Sequence, residues 1–179
     1  MRPIPTLLTS LCTAALLAGC SPTYNWRDYS AKDAPYRVMF PDKPATHTRS
    51  IDLDGLDVKM SMAAAEVEGS IFAVGSGEAP SDAQAAAAVD AMKIALVRNI
   101  GATIESEKPG KPSAPANAAP AAGKAIDVVA NGAMGGRPIR LVAHLESRNR
   151  RFYQVIVMGP PDKASGENVE MFLSSFKLQ

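Results

Sequence analysis

The chain is 179 residues long, 46% hydrophobic and 21% charged, with a formal net charge of +1. That length and composition suit one globular domain, and a charge so near zero excludes strong long-range attraction to nucleic acid or to an anionic membrane surface. Both cysteines, Cys12 and Cys20, lie near the start, so beyond residue 20 there is no disulfide, cysteine nucleophile, CxxC redox pair or Cys-ligated metal.

Residues 1–19 have the three parts of a secretory signal: a basic start at Met1-Arg2, an apolar run from Ile4 to Leu17, and small residues before a cleavage point. A membrane span needs about 20 apolar residues, and this run is shorter and broken by Thr6, Thr9, Ser10 and Thr13. Leu17-Ala18-Gly19-Cys20 resembles the lipobox of bacterial lipoproteins. The resemblance implies that a diacylglycerol alkylates the Cys20 thiol and that cleavage leaves Cys20 as a lipidated N-terminus. That covalent lipid is the only prosthetic group expected. Each buried methylene contributes about 0.8 kcal/mol, and two or more acyl chains anchor stably where one does not. In Gram-negative lipoproteins an Asp after the lipidated Cys retains the protein at the inner membrane. Ser21 therefore implies the periplasmic face of the outer membrane.

Residues 20–33 are polar without an apolar period and read as the lipidated N-terminus and a tether. Tyr24, Trp26 and Tyr29 are odd in a plain tether. They fit an arm docked on the domain better than a contact with lipid headgroups, where such rings are also favoured.

One domain is expected over residues 34–179, and it begins with strands. Residues 36–40 (YRVMF) alternate and stop at Pro41-Asp42, and residues 46–53 form a second candidate. Asp54-Gly55 is a two-residue hairpin signal. Residues 56–67 alternate apolar with polar, as a half-buried strand does. Gly69-Ser70 is a turn, and residues 71–74 (IFAV) read as a short strand ended by Gly75-Ser76-Gly77. Ser81, with Gln84 three residues on, opens a helix of about 18 residues. Val89, Met92, Leu96 and Ile100 lie on its inward face, and Gly101 stops it.

Residues 103–107 read as a strand. The Pro/Ala-rich stretch 109–123 lacks large apolar side chains and reads as an exposed loop inside the domain. Residues 124–130 resume strand texture, with turns expected at Asn131-Gly132 and Gly135-Gly136. Residues 137–147 alternate, Arg148-Asn149-Arg150 turns, and residues 152–158 (FYQVIVM) form the most apolar and hence central strand. Residues 165–175 close the chain as a helix with Val169, Phe172, Leu173 and Phe176 inward. Strands, long helix, strands and short helix define an α+β domain, an antiparallel sheet flanked by helices.

Chemistry-bearing residues are few. His47 and His144 have no H-x-H or H-x-x-x-H spacing, a metal site needs three or four ligands, and both read as surface residues. Asp52, Asp54 and Asp57 lack the spacing of a calcium loop and read as a turn. Gly75-Ser76-Gly77 fits neither the dinucleotide nor the P-loop pattern, and no G-x-S-x-G elbow occurs. No catalytic residue is assigned. Arg137, Arg140, Arg148, Arg150 and Arg151 form a candidate interaction patch for an acidic surface, against the plainer reading of a solvated turn that blunts a sheet edge.

Several segments together resemble a recurring bacterial domain: the strand ending in Phe40-Pro41, the Asp-Gly hairpin, the Gly135-Gly136-Arg137 turn, the run Arg151 to Val155, and Val169 to Phe176. They are similar to uncharacterised proteins thought to share the PsbP-like α/β/α sandwich. The resemblance covers about residues 34–179, and the Pro/Ala-rich insert departs from it. It implies a docking or assembly factor without transferable catalytic residues. The expectation is a non-enzymatic cell-envelope lipoprotein that holds the membrane by its lipid and binds an envelope protein, with no nucleic-acid partner. Two alternatives stay open. One is a carrier of a small apolar ligand or lipid with Met39, Met60, Met62, Met92 and Met158 as an adaptable lining. The other is an enzyme of unrecognised type that uses His144.

Overall fold

The computed structural model describes residues 22–53, 55–113 and 123–179. Cys20 and its lipobox, Ser21, Asp54 and most of the Pro/Ala-rich stretch lie outside the described residues. In chain order the first strands are β1 (Arg27–Ser30), β2 (Tyr36–Phe40), β3 (Ala45–Leu53), β4 (Leu56–Val67) and β5 (Ser70–Glu78). Helix α1 (Asp82–Asn99) follows. Then come β6 (Thr103–Pro109), β7 (Ala125–Met134), β8 (Arg137–Arg148), β9 (Arg151–Gly159), α2 (Glu167–Ser175) and β10 (Lys177–Leu178).

Seven strands form one sheet in the order β3-β4-β5-β9-β8-β7-β6, and a small sheet has the order β1-β2-β10. Every strand pairing among the described residues is antiparallel. The most apolar strand, β9, sits at the centre of the large sheet, and the class is α+β.

The register fixes which side chains share a face, because successive residues of a strand point to opposite sides. Ala73, Ile156, Ala143 and Val128 stand in one row across β5, β9, β8 and β7. This face is covered by α1, whose Ala85, Ala88, Val89 and Met92 are buried against it. Alanines at 85 and 88 let the helix axis come close to the sheet. Leu96 is only partly buried there, and the buried Ile100 closes the end of the helix as its C-cap. Ser81 caps α1 by accepting from the Gln84 N–H at 3.2 Å, and the Ser81 hydroxyl donates to Gln84 Oε1 at 2.9 Å.

The opposite face is covered by the small sheet and α2. Phe72, Val74, Tyr153, Val155 and Val157 meet Phe40, Phe172 and Phe176 there, with the Phe72 and Phe172 ring centroids 5.4 Å apart and edge to face. Both faces of the central strands are therefore dry, which makes β5 and β9 nearly continuous apolar runs.

Three local expectations are corrected, and one short strand is added. Residues 27–30, read within a tether, form β1 along β2, while Tyr24 and Trp26 lie against Phe72 with Glu68 bonded to the Tyr24 hydroxyl. Gly75-Ser76-Gly77 is inside β5, not a loop. Met60, Met62 and Gln154 crowd the place a Cβ would take at Gly75, and the Phe152 ring crowds that at Gly77, so glycine here admits neighbouring side chains rather than a turn. Asn131-Gly132 continues β7, and the turn falls at Gly135-Gly136, both with positive φ. Strand β10 is only two residues long, too short to show a period in the sequence.

Candidate functional site

The row Ala63, Val74, Val155, His144, Asp127 runs across β4, β5, β9, β8 and β7. It is apolar under the small sheet and turns polar at β8. Beyond that line the small sheet and α2 no longer cover the large one. The open half forms a groove of about 450 Å³. Val129 and Val142 lie in its floor, Leu173 and Ser174 of α2 form one wall, and Lys111 and Ser113 close one end.

At that end lies a three-residue cluster. His144 Nδ1 is 2.7 Å from Asp127 Oδ1, and His144 Nε2 is 3.3 Å from Glu146 Oε2. Glu146 Oε2 also accepts the backbone N–H of Ser113 at 2.7 Å. The side chains of His144 and Glu146 are 12% and 2% exposed. Burial opposes charging the imidazole, but the hydrogen bonds and charges of Glu146 and Asp127 outweigh it and hold His144 above its ordinary pKa of 6.5. Beside Glu146, burial pushes the Tyr153 phenol up to about 12.

His144 is thus not the surface residue its polar neighbours suggest. A strand's polar phase faces water only where its face is uncovered, and the close of the chain folds back over this one. Chemically, an imidazole hydrogen-bonded to Asp127 at Nδ1, with the Glu146 carboxylate 3.3 Å from a buried Nε2 that makes no hydrogen bond, retains a proton well. Among the described residues neither ring nitrogen meets a serine hydroxyl. Among those residues no group of three His, Cys, Asp or Glu side chains, this cluster included, is arranged to hold a metal ion.

Four residues further toward the start of β8, Arg140 bonds Glu105 at 2.7 Å, and Asn131 bonds the same carboxylate at 2.7 Å. These bonds from Arg140 and Asn131 hold the Glu105 carboxyl below its ordinary pKa.

The five arginines do not make one patch. Arg137 and Arg148 begin and end β8, about 36 Å apart at 3.3 Å per residue. Arg137 is exposed beside the Gly135-Gly136 turn. Arg150 and Arg151 share Glu78 at 3.1 and 3.2 Å, and Arg140 is held by Glu105. His47 stands exposed on β3, at one edge of the large sheet.

The reading from residues alone did not single out Asp127, Glu146, Lys111 or Ser113. The one signal available was His144-Leu145-Glu146, two ionisable groups in one phase of an otherwise apolar strand.

A scan against protein-family models finds no match to this chain, and a search of curated proteins finds no significant one.

Proposed function

We propose that this chain is a lipid-anchored cell-envelope protein that acts without catalysis, as a binding or assembly module on the periplasmic side. The observation that carries the reading is the open half of the large sheet, where a groove of about 450 Å³ has an apolar floor and a polar end. A concave apolar surface with a few convergent polar groups is the usual form of a binding site. The antiparallel sheet with a helix over each face also fits the PsbP-like α/β/α arrangement, whose members serve chiefly as docking or assembly factors. The lipobox resemblance supplies the anchor at Cys20, and Ser21 favours the outer membrane.

Carriage of a small apolar ligand or lipid is the second reading, favoured by the size of the groove and by Val129, Val142 and Leu173 in it. The methionines weigh against it, because Met60 and Met92 are buried in the core under α1 and do not line this groove. Burial of His144 Nε2, with the Glu146 carboxylate 3.3 Å away, weighs against an enzyme that uses that nitrogen as a general base.

A photo-cross-linking amino acid at Val142, with one at the exposed Lys59 as control, tests the reading in cells. One discrete protein adduct at 142 but not at 59, lost on Cys20→Ala, is the expected result. Adducts to lipid alone would move carriage to first place, and no adduct at 142 would remove the groove as the binding face.

A further inference from the structure

Residues 110–113 form the closed end of the groove. Among the described residues, two backbone bonds fasten them: Gly110 N–H to the Ala125 carbonyl at 2.9 Å, and Ser113 N–H to Glu146 Oε2 at 2.7 Å. The second bond ends on a carboxylate whose other oxygen, Oε1, is buried without a hydrogen-bond partner, as is His144 Nε2 beside it. A buried carboxylate in this state depends on a neighbouring charge, and that neighbour is the imidazole of His144 at 3.3 Å.

We propose that Asp127, His144 and Glu146 form a proton-operated latch on the groove. With the imidazole charged, Glu146 holds the Ser113 backbone and the end of the groove is shut. When the proton leaves, Glu146 loses its cation, the uncompensated carboxylate turns out of its buried position toward water, and its bond to Ser113 breaks. The inference rests on the groove being the binding face, and it adds the control of that face.

The two states differ at one atom. The imidazolium donates Nδ1–H to Asp127, and its positive Nε2–H side lies 3.3 Å from Glu146 without a hydrogen bond. After deprotonation the short bond to Asp127 keeps the remaining hydrogen on Nδ1, and Nε2 presents a lone pair to the carboxylate. Attraction at 3.3 Å becomes repulsion, in a place where the side chain is 2% exposed and water screens little.

Other charges around the imidazole are Lys111 beyond the bend, and Glu170 and Lys177 from α2 and β10 across the groove. All three are exposed. Tyr153 of β9, opposite Glu146, stays uncharged through neutral pH. Glu146 is the most deeply buried of these groups, so it feels the change at His144 most.

The test follows amide exchange at Ser113 and the His144 ring resonances together by NMR as pH rises, using the protein as purified from cells in detergent. Ser113 protection, corrected for the intrinsic pH dependence of exchange, is expected to fall about tenfold across the His144 titration. In Glu146→Gln, which keeps an acceptor for Ser113 but no charge, protection should be flat with pH. In Asp127→Asn the step should move to lower pH, a displacement that a purely structural role would not produce. Ser113 protection that ignores the His144 titration, or that steps unchanged in Glu146→Gln, would overturn the latch. Cross-linking at Val142 decides the binding face separately. A Ser113 step without an adduct there removes the partner and leaves the latch, and an adduct without a step does the reverse.

Discussion

Asp127 and His144 face each other directly across β7 and β8, with Oδ1 and Nδ1 2.7 Å apart. A cross-strand pair of this kind ties two strands by a charge-assisted hydrogen bond, shorter and stronger than a neutral one. Because folding raises the His144 pKa above 6.5, the folded chain holds this proton more tightly than the unfolded one. The stabilisation is complete below about pH 6.5, is lost as pH rises through the folded pKa, and is absent above it. Asp127→Asn should therefore cost about 1 kcal/mol near pH 5.5 and little at pH 9. Urea midpoints at the two pH values measure this, and an equal loss at both would refute it.

Gly77→Ala should destabilise by about 1–3 kcal/mol, because the new methyl must displace the buried Phe152 ring. Urea denaturation measures the loss. The companion change Phe152→Leu should recover part of it if the ring is the obstacle.

Arg150→Gly should stabilise the protein by about 1 kcal/mol. Arg150 has φ +60° and Asn149 has φ +49° in the two-residue turn between β8 and β9. A turn with both residues left-handed favours glycine, and the conformation costs a residue with a Cβ about 1–2 kcal/mol. The Arg150–Glu78 ion pair lost in the exchange is exposed on both sides and contributes little. An unchanged or lower thermal midpoint would show that the ion pair outweighs the strain.

Trp26 is the chain's one tryptophan, and its ring stacks 6.0 Å from Tyr24 and edge-on to Phe72. Its emission should be blue-shifted in the folded protein and move red in the same transition that unfolds the core. Phe72→Ala should cost about 3–5 kcal/mol and also shift the folded-state emission red. A red-emitting Trp26 in the folded protein would mean that this arm is undocked.

Much of the fold was legible because local rules and tertiary structure agree. The alternation from Leu56 to Val67 and the Ser81 cap with Gln84 each specify an element by neighbours in the chain, and β4 and α1 occur where those signals fall. The failures have a common cause. Asn131-Gly132 has the chemistry of a turn, but pairing with Arg140 and Ile139 holds it in a strand. Gly75 and Gly77 have the look of a loop, yet they are small because Met60, Met62 and Phe152 need the room. His144 was misread for the same reason, since what covers it comes from residues 111–113 and from the close of the chain. A period of two says which residues share a face, and nothing about whether water reaches it.

The placement of β1 has a mechanical consequence. Its outermost pair, Arg27 with Phe40, is the one nearest the start of the chain. Tension applied through Cys20 would break the pairs to Met39, Val38 and Arg37 one after another, the arrangement of least resistance for a strand. Peeling residues 22–33 from the body adds about 40 Å of extended chain, while β2 remains paired to β10. If the chain is anchored at Cys20, the N-terminal arm would act as an extensible leash, short at rest and lengthening under load as Tyr24 and Trp26 leave Phe72.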